Sequence, residues 1–192
     1  MKKILSLFVC IAILGSCSQM SSKVKFRSSD TALLIIDVQN AYLPVYNQGV
    51  FLQNINLLED RAREAEVPII YVRNIESYMV EGSKDWKFFP SLKPLDSDIV
   101  IKKEYPSSFS DTDMKKVLDE LKVKNLILTG LASSGCYGAT VYASRQNKFN
   151  TVVVKDAHAD QLKGRAEDLN KNLANTENVL IIETENILFL NK

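Results

Sequence analysis

Six short apolar runs recur along the chain: Ala32–Val38 (ALLIIDV), Pro68–Val72 (PIIYV), Asp98–Lys102 (DIVIK), Asn125–Thr129 (NLILT), Thr151–Lys155 (TVVVK) and Asn178–Ile182 (NVLII). Each is rich in β-branched residues and predicts a strand. Between them the apolar spacing changes to that of a helix. Phe51, Ile55, Leu58, Ala62 and Ala65 step by four and three; so do Met114, Val117, Leu118 and Leu121, and again Leu162, Ala166, Leu169 and Leu173. Strands that are apolar throughout and alternate with helices predict a parallel sheet covered on both faces. The expected fold is therefore one α/β domain: a doubly wound, Rossmann-like parallel sheet of about six strands, with helices on both faces and the common strand order 3-2-1-4-5-6. The run Ile187 to Leu190 is either a seventh strand or a packing tail.

One connection breaks the pattern. Ile75 to Ser97 carries Tyr78, Met79, Trp86, Phe88 and Phe89 with no clear period. A loop this long inside a compact domain is either a lid over a binding site or a surface flap tucking its aromatics onto the sheet edge.

The N-terminus changes the picture of where the protein works. Lys2 and Lys3 precede an apolar run from Ile4 to Leu14, too short to cross a bilayer and typical of a cleavable export signal. Its end, Leu14-Gly15-Ser16-Cys17, resembles the lipobox of bacterial lipoproteins. That resemblance implies a signal peptide over residues 1–16, an acylated N-terminal Cys17, a polar tether over 17–30, a domain over 31–192, and a place in the cell envelope on a bacterial membrane. Of 192 residues, 46% are hydrophobic and 24% charged, which is ordinary globular composition. The formal charge of +1 falls to −1 once Lys2 and Lys3 leave, and no Lys/Arg cluster follows, which argues against a nucleic-acid partner. Of three cysteines, Cys10 leaves with the leader and Cys17 takes lipid, so Cys136 stands alone, without a disulfide framework.

In the expected strand order the chain reverses between the first and fourth strands, and ligands bind beyond their carboxyl ends. Three residues converge there: Asp37 at the end of an apolar strand, Lys103 after the third, and Cys136 after the fourth, within Gly130-Leu131-Ala132-Ser133-Ser134-Gly135-Cys136. A carboxylate following Ala-Leu-Leu-Ile-Ile needs a cationic partner, and Lys103 is the available one. Gly130 permits a sharp exit, and Ser133 or Ser134 can cap the next helix. Cys136 then lies in a first turn, where unpaired N–H groups and the helix dipole favour thiolate and can receive an oxyanion.

These residues resemble the isochorismatase-like cysteine hydrolases, which include nicotinamidases and N-carbamoylsarcosine amidohydrolase. The resemblance runs from Thr31 to Asp160 through LLIIDVQNAYL (Leu33 to Leu43), KKEYPSSF (Lys102 to Phe109), LILTGLASSGCYGATVYAS (Leu126 to Ser144) and KDAHAD (Lys155 to Asp160). It implies a triad of Asp37, Lys103 and Cys136, and a cis peptide from Leu131 to Ala132 that points the Ala132 and Cys136 N–H groups at the oxyanion. Where many relatives carry Asp-Phe this chain has Ala41-Tyr42, and Tyr137 replaces a valine after the cysteine, so the pocket wall is altered. Gln39, Tyr42, Trp86 and Tyr137 are the candidate pocket residues, with Gln39 equally suited to tying down a neighbouring loop.

Nicotinamidases hold a metal through an Asp and several His between the first and third strands. No histidine occurs there, so no metal is expected, nor nicotinamidase activity. The single histidine, His158, reads as a hydrogen-bonded structural residue, and Asp156 as a cap. Neither GxGxxG nor GxxxxGK[ST] occurs, so no nucleotide cofactor is expected. The leading function is a cofactor-free cysteine hydrolase acting on a small-molecule amide, ureido or related carbon–nitrogen bond. Vinyl ether hydrolysis of isochorismate is a second reading, and a catalytically silent small-ligand-binding lipoprotein a third. Relatives are often oligomers, which makes a homo-oligomer an expectation by analogy.

Overall fold

The computed structural model describes residues 23–191; the signal segment 1–16 and Cys17 lie outside them. Six parallel strands form the sheet: β2 (Thr31–Ile36), β3 (Ile69–Asn74), β4 (Ile99–Lys103), β5 (Asn125–Gly130), β6 (Asn150–His158) and β7 (Val179–Ile182). They lie in the order β4-β3-β2-β5-β6-β7, which is the expected 3-2-1-4-5-6. The central strand β2 is buried at all six residues, which explains its unbroken apolar sequence.

Because strand side chains alternate, each strand feeds two cores. Leu33, Ile35, Ile127 and Val152 face α1 (Gln48–Glu64) through Phe51, Ile55, Leu58 and Ala62. Leu34, Ile36, Leu128 and Val153 face α2 (Met114–Glu120), α3 (Cys136–Gln146) and α4 (Arg165–Leu173) through Met114, Val141 and Leu169.

The tail Ile187–Leu190 is a strand, β8, but not of this sheet. It pairs in parallel with β1 (Val24–Arg27), forming a two-stranded ribbon. This corrects the reading of residues 17–30 as a tether throughout. Phe26 of β1 is buried beside Ile187 and Phe189 on the α1 face, so the folded unit reaches back to Val24. Four residues in which only Val24 and Phe26 are apolar carry too weak an alternation to be seen in sequence.

The long connection after β3 is a flap. Its segment around Phe88 bridges antiparallel to Gln39, the N–H of Phe89 donates to Val38 O at 2.9 Å, and Phe88, Phe89 and Leu92 pack on the core. Tyr78 stays 67% exposed.

Candidate active site

The carboxyl ends of β2, β4 and β5 bring Asp37, Lys103 and Cys136 together. Asp37 is the first residue past β2, at φ 53°, and its N–H donates to Val72 O at 3.0 Å. That left-handed turn takes the chain off the sheet and leaves the carboxylate at its edge, 1% exposed. Lys103 ends β4, is also buried, and places Nζ 2.7 Å from Asp37 Oδ2. It also donates to Asn74 Oδ1 at 2.9 Å. Asp37 Oδ1 has no protein partner among the described residues.

Cys136, half-buried, opens α3 beside this pair. Gly130 turns the chain toward it at φ 117°, where a Cβ would lie 2.1 Å from Ile36 O, so only glycine fits. The Leu131–Ala132 peptide is cis. The N–H groups of Ala132 and Cys136 have no acceptor among the described residues, whereas the N–H of Ser134 donates to Asp160 Oδ2 at 2.9 Å.

Electrostatics follow from this geometry. Burial pushes Asp37 up to about 6, with Lys103 pulling the other way. Burial and then the Asp37 charge push the Cys136 thiol above its ordinary value, and Lys103 offsets part of this. Desolvation and the neighbouring carboxylate thus favour a thiol beside a base, in the opposite sense to the thiolate expected from the helix start.

Over this edge the chain matches the Isochorismatase domain family from residue 31 to residue 185. The chain belongs to the isochorismatase family. Its relatives include the uncharacterized isochorismatase family protein YddQ of Bacillus subtilis, 33% identical over 139 residues, covering 67% of this chain and 77% of YddQ. The ureidoacrylate amidohydrolase RutB of Pseudomonas savastanoi is 25% identical over 177 residues, covering 70% of this chain and 72% of RutB. Among solved structures, an isochorismatase from Pseudomonas putida superposes with a TM-score of 0.76 at 26% identity, over 86% of this chain and 93% of that one. The chain is thus an isochorismatase-family hydrolase, with the α/β fold of its relatives.

Within this family member the remaining candidate residues separate. Tyr42 reaches the site: its hydroxyl accepts from Asn74 Nδ2 at 2.5 Å, and burial raises its pKa. Gln39 is fully buried and spent on the flap, donating to Trp86 O at 3.0 Å and Asn74 O at 3.1 Å. Trp86 gives its ring to Arg73, whose guanidinium lies 3.7 Å from the ring centroid. Tyr137 is 0% exposed and donates to Leu128 O, so it is a core residue and not a pocket wall. The reason is helical: one residue after a cysteine that faces the crevice, the side chain has turned by about 100° toward the sheet. Nor do Ser133 or Ser134 cap α3, whose N-cap is Gly135; Ser133 pairs with His158 Nδ1 at 2.8 Å and Ser134 with Asp160.

His158 is indeed structural, buried, held also by Asn170 and stacked on Tyr137 with centroids 4.5 Å apart. Asp156 caps a turn, accepting from the Thr184 N–H and hydroxyl at 2.9 and 2.8 Å. Asn74 went unrecognised in the sequence. It is the hub of the site, joining Lys103, Tyr42, Gln39 and, through Nδ2 at 2.8 Å, Glu76. Its one sequence signal is a polar side chain ending an apolar strand.

Proposed function

We propose that this isochorismatase-family hydrolase is a cofactor-free cysteine amidohydrolase using Cys136, Asp37 and Lys103 on a small amide or ureido substrate. The observation that carries the reading is a half-buried thiol set against a buried carboxylate–ammonium pair, with the backbone N–H groups of Ala132 and Cys136 without an acceptor among the described residues. Asp37, ionised above about pH 6, takes the thiol proton as Sγ bonds to the carbonyl carbon. The N–H groups of Ala132 and Cys136 receive the oxyanion. Asp37 then returns the proton to the departing nitrogen, leaving a thioester on Cys136. A water molecule, deprotonated by the same carboxylate, adds to the thioester; the Sγ–C bond then breaks, the acid leaves, and Asp37 returns the proton to Sγ, restoring the thiol. Lys103, 2.7 Å from Asp37 Oδ2, holds that carboxylate in position and stabilises its charge whenever it is ionised. The relationship to a ureidoacrylate amidohydrolase supports this bond type.

The test is a panel of small amides and N-carbamoyl compounds, with mass spectrometry of the acyl-enzyme. Cys136→Ala should abolish turnover while the fold persists, since a small side chain at a helix start carries little packing. Turnover above about one tenth of wild type would overturn the assignment, because loss of a nucleophile costs far more than that.

We also propose that Cys17 carries lipid and anchors the domain to a membrane of the cell envelope, on the strength of Leu14-Gly15-Ser16-Cys17. Cys17→Ser should leave an uncleaved or soluble precursor. A variant still acylated and membrane-bound would refute this.

A further inference from the structure

Asn74 ends β3 with its side-chain amide shared among three other side chains, and those partners fix which way round the amide lies. Lys103 Nζ, which can only donate, is 2.9 Å from Oδ1. On the other side, Nδ2 is 2.8 Å from Glu76 Oε1 and 2.5 Å from the Tyr42 hydroxyl. A flipped amide would set a donor against the ammonium and an acceptor against the Glu76 carboxylate, so one orientation alone suits both neighbours. The two hydrogens of Nδ2 are then spent, one on Glu76 and one on Tyr42.

The consequence falls on Tyr42. Its oxygen receives a hydrogen bond from Asn74, so its own hydrogen turns elsewhere, and no side chain or backbone group among the described residues accepts it. The contacts Asp37–Lys103–Asn74–Tyr42 measure 2.7, 2.9 and 2.5 Å, which puts this hydroxyl within a small molecule's length of the carboxylate beside Cys136. Tyr42 is only half-buried, so the crevice side of the hydroxyl is open to a ligand. Burial, with the Asp37 charge adding to it, holds the phenol proton on well above the usual range, so Tyr42 is a neutral donor wherever Asp37 is ionised.

We propose that Tyr42 is a specificity-determining residue that donates its hydroxyl hydrogen to the substrate, selecting amides or ureas that carry a second hydrogen-bond acceptor, a carbonyl or ether oxygen, close to the bond cleaved. A plain alkyl amide would leave that hydrogen unpaired in a half-dry crevice, and is penalised against one that receives it. The inference rests on Cys136 being the nucleophile, and names the substrate class for that site.

The test uses two alkylating reagents, iodoacetamide and allyl iodide, of which only the first has an acceptor oxygen beside the attacked carbon. In each, Sγ displaces iodide, forming the S–C bond, and the thiol proton passes to the base. Second-order rates at the Cys136 peptide of the full chain would be read by mass spectrometry and normalised to glutathione. The ratio of iodoacetamide to allyl iodide rates should fall about fivefold or more in Tyr42→Phe, the worth of one hydrogen bond between neutral groups. Asn74→Asp, whose ionised side chain has no hydrogen to give, should lower the same ratio by drawing the Tyr42 hydrogen to itself. An unaltered ratio in either variant, whether both rates fall alike or neither does, overturns the inference while leaving Cys136 a nucleophile, since the hydroxyl would then act only through Asn74 on Lys103. A Cys136 that reacts with neither reagent in the wild-type chain overturns the nucleophile reading, and this inference with it.

Discussion

At Asp37 the backbone and the side chain are both held in costly states. The backbone sits at φ 53°, and the carboxylate is buried against one ammonium with one oxygen unpaired. Such a group stays because of what it does to its neighbour. Its pKa, raised to about 6 by burial, puts an acid limb on the reaction: kcat/KM should rise with pH through an apparent value near 6 as the base ionises. Asp37→Asn should remove that limb and about a hundredfold or more of rate, and Lys103→Met should cost as much by removing the charge that holds the base. Because each leaves the other's group stranded, the double variant should be far less impaired than the product of the two losses. Strictly multiplicative losses in that cycle would mean that the two groups act separately.

At the scale of elements, the turn from β5 into α3 is braced from the neighbouring strand. β6 continues to His158, past where the sequence pattern ends it, and delivers that ring under both sides of Cys136: to Ser133 before it and Tyr137 after it. Gly138 closes the packing, since a Cβ there would meet Ser133 O at 2.6 Å. Burial lowers His158 to about 4, so its stabilising contribution is complete above pH 6.5 and lost as pH falls toward 4. Urea midpoints should therefore drop across that window by the equivalent of up to about 3 kcal/mol in wild type, and markedly less in His158→Gln. Parallel pH profiles for the two proteins would remove His158 as the cause.

The same elements show what the sequence made legible. Apolar runs and helical spacing placed all six sheet strands, and strand ends placed Asp37, Lys103 and Cys136, because periodicity and desolvation are written locally. Tyr137 lies in the core rather than the pocket wall because the direction of a side chain depends on the partner it meets, here Leu128 O, and of the two readings of Gln39 the structure bears out the one that ties down the neighbouring loop, through Trp86 O. Asn74 was missed because a hub is defined by four neighbours from distant segments, and no spacing rule encodes that.

For the whole molecule, two cores lie back to back on one sheet, and the ribbon of β1 and β8 extends the α1 side. Phe26 fastens it. Phe26→Ala should cost about 3–5 kcal/mol, as emptying a buried aromatic site usually does, read as a lower urea midpoint. Reactivity of Cys136 below the transition should not change, and an unaltered midpoint would show the ribbon to be ornamental to stability.

That ribbon also sets an order of events in time. Val24 pairs with Ile187, so a strand made among the first must wait for one made among the last. While the chain is emerging, β1 has no mate, and the segment before it is joined to an unfinished edge. If the chain is exported as proposed from Leu14-Gly15-Ser16-Cys17, such lateness would leave the residues just before β1 open to the export machinery until synthesis is nearly done.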